Sequence, residues 1–358
     1  MADAQRSLEE RGKGLEIVCL NAAFEVVGYL PYINLQWTRR YFETGEFSAQ
    51  IRMQDYDPAV RYLWTADRPE IAMVEKTQSS TEITGRYVQL SGRFMEGALD
   101  RNVIWPKKNA TGRPSKLARD LVAQYATDIP GLIVSTWAGD SSEDTVEVKY
   151  LGEPLDEATW PLLESVGKSQ RITFDFEQNA LRYQIWQGKN RTQSQNQNAY
   201  ALFSDVAQNT EKISIDEDES GYRNYAIIGL PNGQSLTVDR RSPPDEPRRI
   251  LFVDETEGQP DPDQTEAQWK SALTREARET LAKWPRVVNV EAVTIQSGIL
   301  YLQDYDLGDV CDIVSNDMRK SYESRIIEVR EVFKEMQHQV EVIFGDKIPT
   351  IFERVKNK

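Results

Sequence analysis

Three aspartates surround one glycine in the segment YLQDYDLGDV, residues 301–310: Asp304, Asp306 and Asp309 about Gly308. Carboxylates at this spacing can ligate a divalent cation, act as general acid and base, or bond back to their own backbone in a turn. The cation use demands a pattern. A helix-loop-helix calcium loop wants oxygen ligands at loop positions 1, 3, 5 and 12 and glycine at 6. Counted from Asp304, Gly308 falls at position 5 and Ser315 at position 12. The run DEDESG, 216–221, brings Gly221 to position 6 but puts Ile227 at position 12, where a bidentate glutamate is needed. Neither stretch fits, so no metal ligand is assigned.

Other chemistry is narrowed by counting. The single histidine, His338, rules against histidine-dependent triads and multi-histidine metal sites. It lies in EMQHQVEVIF, a strand pattern, and is expected to face solvent. Cys19 and Cys311 are the only cysteines and read as two separate buried thiols rather than a disulfide. There is no Walker loop, G-x-G-x-x-G, G-x-S-x-G or H-E-x-x-H. Two carboxylates flanking a cleft suffice for a glycosidase, and 57 acidic residues leave that possibility open although no pair stands out. No catalytic residue and no cofactor are assigned. Asp306-Leu307-Gly308-Asp309 has good tight-turn chemistry, with aspartates bonding the backbone and glycine supplying the difficult φ. Asp304, Asp306, Gly308 and Asp309 are therefore expected to form a structural turn that shapes a hairpin.

The chain that must position this turn has 358 residues, enough for two or three domains. A mean hydropathy of -0.58 implies a polar surface, and no apolar run approaches the ~20 residues of a membrane helix. The start, MADAQRSLEERGKG, lacks the apolar stretch of a secretion signal, so the NAT and NRT matches to glycosylation acceptors count as chance. A net charge of -14 opposes specific nucleic-acid binding unless one face is locally basic. The richest basic stretch, DRRSPPDEPRR at 239–249, is broken by acids and prolines and reads as a solvated loop.

After a charged tail, 1–14, residues 15–100 read as short strands. LEIVCL and FEVVGYL flank Asn21-Ala22-Ala23, and FSAQIRMQ alternates Phe47, Ala49, Ile51 and Met53 against polar residues. Strands at this spacing suggest an antiparallel barrel or sandwich. Residues 101–198 are mixed. PSKLARDLVAQYA predicts a helix with Ser115 as N-cap, DEATWPLLESVG predicts a second ended by Gly167, and RITFDF and ALRYQIW are strands hinged at Glu177-Gln178-Asn179. NRTQSQNQNAY, 190–200, is polar and low in complexity, hence a loop or mobile arm. Over 199–285 strand signals return and are followed by a helix. Asp263 and Glu266 start it, and it carries Trp269, Leu273, Ala277, Leu281 and Trp284 on one core-facing stripe. The region 286–358 is again strands: VVNVEAVTI, GILYLQ, DVCDIV, YESRIIEVREVF and QVEVIFG. The expected fold is α+β, mainly β, with two antiparallel barrel-like domains bracketing a mixed α/β segment.

Three collinear stretches carry a family resemblance. YLQDYDLGDVCDIVSND followed by SRIIEVREVF and VEVIFGDKIPTI resembles the C-terminal barrel of tail-tip hub proteins from siphovirus-type phages and prophages. FEVVGYLPYINLQWTRRYFETGEFSAQI, 24–51, is similar to the N-terminal barrel of that family, and ITFDFEQNALRYQIWQGKNRT, 172–192, to the end of its α/β insertion. The resemblance runs from about Leu15 to about Val355. It implies two tube-type barrels per subunit and, in a trimer, a pseudo-sixfold ring matching the hexameric tail tube. Its partners would be two further copies and the distal tail, tube and tape-measure proteins. It implies no specific nucleic-acid contact although DNA passes through the lumen, no membrane anchor, and a place at the virion tail tip after synthesis in the bacterial host cytoplasm. The sequence stops at Lys358 without an appended fibre, peptidase or glycan-cleaving domain, which weighs against host binding or wall digestion. The expected function is a non-enzymatic hub. A tail-tip wall hydrolase with a carboxylate pair and a carbohydrate-binding tail module are the alternatives.

Overall fold

Strands from both ends of the chain enter one sheet in the computed structural model, which describes residues 14–345 apart from 84, 137–139, 208, 261–263, 297, 317–318 and 335–336. Ten strands belong to that sheet: β3 (Tyr32–Arg40), β4 (Glu46–Arg52), β7 (Lys76–Glu82), β8 (Gly85–Arg93), β14 (Leu202–Ser204), β15 (Thr210–Asp218), β19 (Val287–Thr294), β20 (Val310–Ser315), β21 (Lys320–Lys334) and β22 (Gln337–Gly345). The main path is β15-β19-β22-β21-β3-β4-β8-β7, and β20 pairs with β14 and with the first half of β21.

Alternation explains the pairing. Phe47, Ala49 and Ile51 of β4 are buried while their neighbours are not, as period-2 patterning requires. In β3 the buried face runs Leu35, Trp37, Arg39, and in β21 it runs Val329, Glu331, Phe333. The register places Phe333 opposite Leu35, Glu331 opposite Trp37 and Val329 opposite Arg39. These apolar positions close a core with Ile17, Leu63, Val88 and Phe94.

Smaller sheets flank this one. β1 (Val18–Leu20), β2 (Val26–Tyr29), β5 (Tyr62–Trp64) and β6 (Ala72–Met73) run in the order β2-β1-β5-β6. The turn from β1 to β2 is held by Asn21, whose side-chain oxygen accepts from the Ala23 and Glu25 amides. The mixed segment contains β9 (Lys108–Gly112) paired with β11 (Val146–Tyr150), and a sheet of β10 (Leu132–Val134), β13 (Ala180–Trp186) and β12 (Ser169–Asp175). Helices α1 (Pro114–Tyr125) and α2 (Leu155–Glu164) bury Leu117, Leu121, Leu155 and Leu163 against Ile172 and Leu181.

The described chain divides into two units, one up to Ile213 and from Glu291 to Phe344, the other Ser214–Val290. In the second, β16 (Tyr225–Gly229), β17 (Ser235–Asp239) and β18 (Ile250–Asp254) form a sheet ordered β17-β16-β18. Helix α3 (Glu266–Ala282) lays Trp269, Leu273, Ala277 and Leu281 on Ala226, Ile228 and Val238. Four of the five stripe residues are core, as their spacing predicts; Trp284 lies past the end of the helix and outside this core.

Strand outweighs helix, 45% to 16%, which makes the fold mainly β. The sheets are open, however, and not the closed barrels expected. Because β3 pairs with β21, strands of the 15–100 and 286–358 regions share one sheet instead of each closing on itself. Local details differ too. Arg113 and not Ser115 caps α1; Pro114, lacking an amide hydrogen, suits the first helical position, and Ser115 bonds Glu143 instead. Helix α3 is capped by Thr265 in a reciprocal box with Gln268, while Asp263 lies outside the described residues. Residues 190–200 are no free arm: the Gln193 amide donates to Asp312 and Thr192 is fully buried. Among the described residues no helix is long and apolar enough to cross a membrane.

Candidate functional site

The three aspartates lie in the first unit, and Asp306 leads to a fully buried charge. Leu300–Tyr305 is not the strand expected from GILYLQ but a coil folded on itself. The Leu302 amide donates to the Tyr305 carbonyl, and Leu302 itself takes a φ of 67°. Asp304 accepts the Leu300 amide at 2.7 Å, a local side-chain bond that competes with strand pairing. Tyr301 and Tyr305 turn inward, their rings 5.6 Å apart. No hairpin forms here: the turn feeds β20, which pairs with β14 and β21.

Asp306 caps its own turn through the Leu307 amide and also meets Arg39 of β3 at 2.6 Å. Arg39 is completely buried. Its Nε donates to both carboxylate oxygens of Glu70 at 2.9 Å and its Nη1 to the Tyr301 hydroxyl at 2.7 Å. Nη2 also lies 2.9 Å from a Glu70 oxygen but makes no aligned hydrogen bond, so Nε carries the bonding and Nη2 only the charge contact. Burial works against the Arg39 charge, but Glu70, Tyr301 and Asp306 together hold its pKa well above the ordinary arginine value.

A second buried pair stands beside the first. Glu331 of β21 is fully buried and accepts from Arg68, whose Nε is 2.7 Å away, and from His338 Nε2 at 3.0 Å. Burial alone would raise the Glu331 pKa; the bonds from His338 and Arg68 overcome it and hold it at about 2. Arg68 also lies over the Tyr301 ring, 5.4 Å from its centre, so Tyr301 touches both pairs. His338 does not face solvent. It shares the parity of Val340 and Val342, and its ring stacks on Phe333 at 4.3 Å.

Asp309 and Gly308 complete the turn. Asp309 is buried, accepts the Lys189 amide at 2.6 Å and pairs with Arg191. Gly308 has a φ of 82°, and a Cβ there would sit 2.2 Å from the Tyr41 ring. A Cβ on Gly188 would come 2.0 Å from the Gly308 carbonyl, so two glycines let two backbones touch. Arg325 lies over Tyr41 and donates to the Gly308 carbonyl at 2.6 Å.

This arrangement favours fastening over turnover. A carboxylate held near 2 neither donates nor takes protons usefully near neutrality; Glu70, Asp306 and Asp309 are bound to guanidinium groups, and Asp304 to the Leu300 amide. Glu96 differs: it is 3% exposed, burial pushes its pKa up to about 8, and one of its oxygens lacks a hydrogen-bond partner. Among the described residues no group of three or more His, Cys, Asp or Glu could hold a metal ion. Cys19 and Cys311 are buried free thiols, both pushed up by burial, Cys19 to about 12. Arg39, Glu70, Arg68, Glu331 and Glu96 were not singled out from sequence. The usable signal was parity: Arg39 continues the face of Leu35 and Trp37, and Glu331 that of Val329 and Phe333.

Residues 16–346 match the family model described as Siphovirus ReqiPepy6 Gp37-like protein. No curated protein is significantly similar in sequence. Solved structures that share the fold include three tail proteins. The tail protein from Neisseria meningitidis MC58 has 14% identity and a TM-score of 0.59, over 94% of this chain and 97% of that one. The prophage MuSo2 43 kDa tail protein from Shewanella oneidensis has 16% identity and a TM-score of 0.57, over 92% and 98%. The prophage tail protein gp18 from Listeria monocytogenes EGD-e has 12% identity and a TM-score of 0.57, over 96% and 99%.

Proposed function

This chain belongs to the Siphovirus ReqiPepy6 Gp37-like family of phage tail proteins, and on that premise we propose that it is the structural hub of a tail tip. In this reading it caps the tail tube, three copies form a ring around the DNA channel, and the distal tail, tube and tape-measure proteins are its neighbours. It is made in the host cytoplasm and works at the tip of the virion, without catalysis or cofactor. DNA passes through without a specific site, and acidic side chains on the lumen wall repel it and let it slide.

The observation that carries the reading is the pair of buried ion contacts where β3 meets β21. Arg39 and Glu331 lock the two ends of the chain into one sheet, giving a stiff frame in which the carboxylates are committed to structural bonds. Asp304, Asp306, Gly308 and Asp309 serve as a structural turn in that frame. The open sheets leave edges at β7 and β15 that a ring of copies would cover. A sugar-binding module has less support: of the tryptophans whose burial is described, Trp105 alone is exposed.

The test is light scattering of the full chain, alone and with the adjoining tail protein, followed by imaging of the complex. A threefold ring with an acid-lined passage is expected. Open chains, dimers or a ring without a passage overturn the proposal. Turnover of peptidoglycan fragments that one carboxylate-to-amide change abolishes would instead establish the hydrolase.

A further inference from the structure

The second unit is electrically two-ended. Arg223 precedes β16, Arg240 and Arg241 follow β17, Arg248 and Arg249 precede β18, and Arg286 follows α3. The topology brings these positions to one end of the unit. Tyr225 at the start of β16 lies opposite Asp239 of β17 and Ile250 of β18, and the Arg223 amide donates to the Trp284 carbonyl just past α3. Four of the guanidinium groups lie over rings. Arg248 is 4.5 Å from the centre of Tyr225, Arg286 and Arg249 are 4.5 Å and 5.8 Å from Tyr222, and Arg223 is 5.8 Å from Trp284. Stacking fixes a guanidinium plane without neutralising its charge. Asp239, Glu219 and Glu246 pair with Arg241, Arg249 and Arg286, and the exposed Asp245 is the further acid of the 240–249 loop, so the arginines at this end still outnumber the acids. Arg240 and Arg248 are exposed and make no ion pair among the described residues.

The opposite end is acidic. β18 finishes at Asp254, Glu255 and Glu257 follow it, and α3 opens with Glu266. Trp269, in the first turn of α3, packs beside Gly258, which puts the helix start at that end. Lys270 offsets Glu266 alone. Between the two ends, on the sheet face turned away from α3, Ile250 is 49% and Phe252 58% exposed, while Leu251 and Val253 pack toward the helix.

We propose that the arginine end of this unit docks the acidic end of the same unit in a second copy of the chain. Complementary charge within one unit, over its residues 214–290, selects a second copy as the occupant, with Ile250 and Phe252 supplying apolar area beside the charges. The net charge of -14 opposes a nucleic acid in the same place. A contact between two different patches is head-to-tail, and head-to-tail contacts close into rings when the rotation allows. Closure into a threefold ring rests on the hub reading; the contact itself does not.

Two full-length variants test it, Ser242→Cys at the arginine end and Thr256→Cys at the acidic end. The native thiols at Cys19 and Cys311 are buried. Under mild oxidation, alone or with the adjoining tail protein, the mixed variants should give a covalent dimer several-fold in excess of either variant by itself. Arg240→Glu with Arg248→Glu should weaken this association about tenfold, and adding Asp254→Arg and Glu257→Arg to the same chain should restore it. A mixed yield no greater than that of the single variants, or one indifferent to charge reversal, overturns the contact. So does duplex DNA binding that is lost on the arginine reversal while no cross-link forms. A cross-link within open chains keeps the contact and removes the ring, whereas a ring without the cross-link keeps the hub and removes the contact.

Discussion

Arg39 and Asp306 are 267 positions apart in the chain and meet at 2.6 Å. The contact is asymmetric, because the Arg39 side chain is wholly buried while that of Asp306 is 38% exposed. Glu70, on the other side of the same guanidinium, is 4% exposed. Removing either partner of a buried pair strands the other charge without water, so the two carboxylates are unequal although both touch Arg39.

Arg39→Met should therefore cost about 3–5 kcal/mol, the usual penalty for leaving one buried ion alone. Asp306→Asn should cost no more than ~1 kcal/mol, since solvent screens the exposed partner and an amide oxygen can still accept. Chemical denaturation of both variants measures the difference, and equal losses would show that Asp306 matters through more than this pair.

Gly308 combines two constraints, a left-handed backbone and the Tyr41 ring 2.2 Å from where a Cβ would stand. Gly308→Val should lose about 2–4 kcal/mol, adding backbone strain to overpacking. Asp304→Asn should stay within ~1 kcal/mol, because Asp304 makes one local bond to the Leu300 amide. Thermal unfolding with and without calcium checks both, and a large Asp304→Asn loss that calcium repairs would revive the metal reading.

What could be read from the sequence was whatever one strand or helix determines by itself. Phe47, Ala49 and Ile51 on one face of β4 are such a case, as is the Trp269–Leu281 stripe of α3. The pairing of β3 with β21 was beyond reach, because its register depends on strands nearly three hundred residues apart. Hence two open strand sets looked like two barrels. Arg39 and Glu331 were within reach, since each continues an apolar face. The alternation that was to turn His338 to solvent in fact puts it on the parity of Val340 and Val342. The 190–200 loop misled differently: its Asn and Gln side chains bond backbone groups nearby, so a composition typical of mobile arms here folds into an ordered turn.

Two buried carboxylates give the protein opposed pH limits. Glu331 has a folded pKa of about 2, below its ordinary 4.5, so its contribution is complete above about 4.5 and is lost as pH falls toward 2. Glu96 has a folded pKa of about 8, above 4.5, so its contribution is complete below about 4.5 and is lost as pH rises toward 8. Between those limits the unfolded chain ionises Glu96 while the folded chain keeps it neutral, which makes ionisation a progressive drag on stability. Glu96→Gln should remove that drag: the variant should gain on the wild type as pH rises from 5 to 9, reaching about 2–4 kcal/mol after allowance for relaxation around the ion. Glu331→Gln should act in the other direction, flattening the acid limb while weakening the protein at neutral pH, because it leaves Arg68 without its anion. Thermal melts of the three proteins across pH 3–9 decide the matter. If the Glu96→Gln curve runs parallel to the wild type, Glu96 is ionised in the folded protein and its burial is relieved by a partner other than a proton.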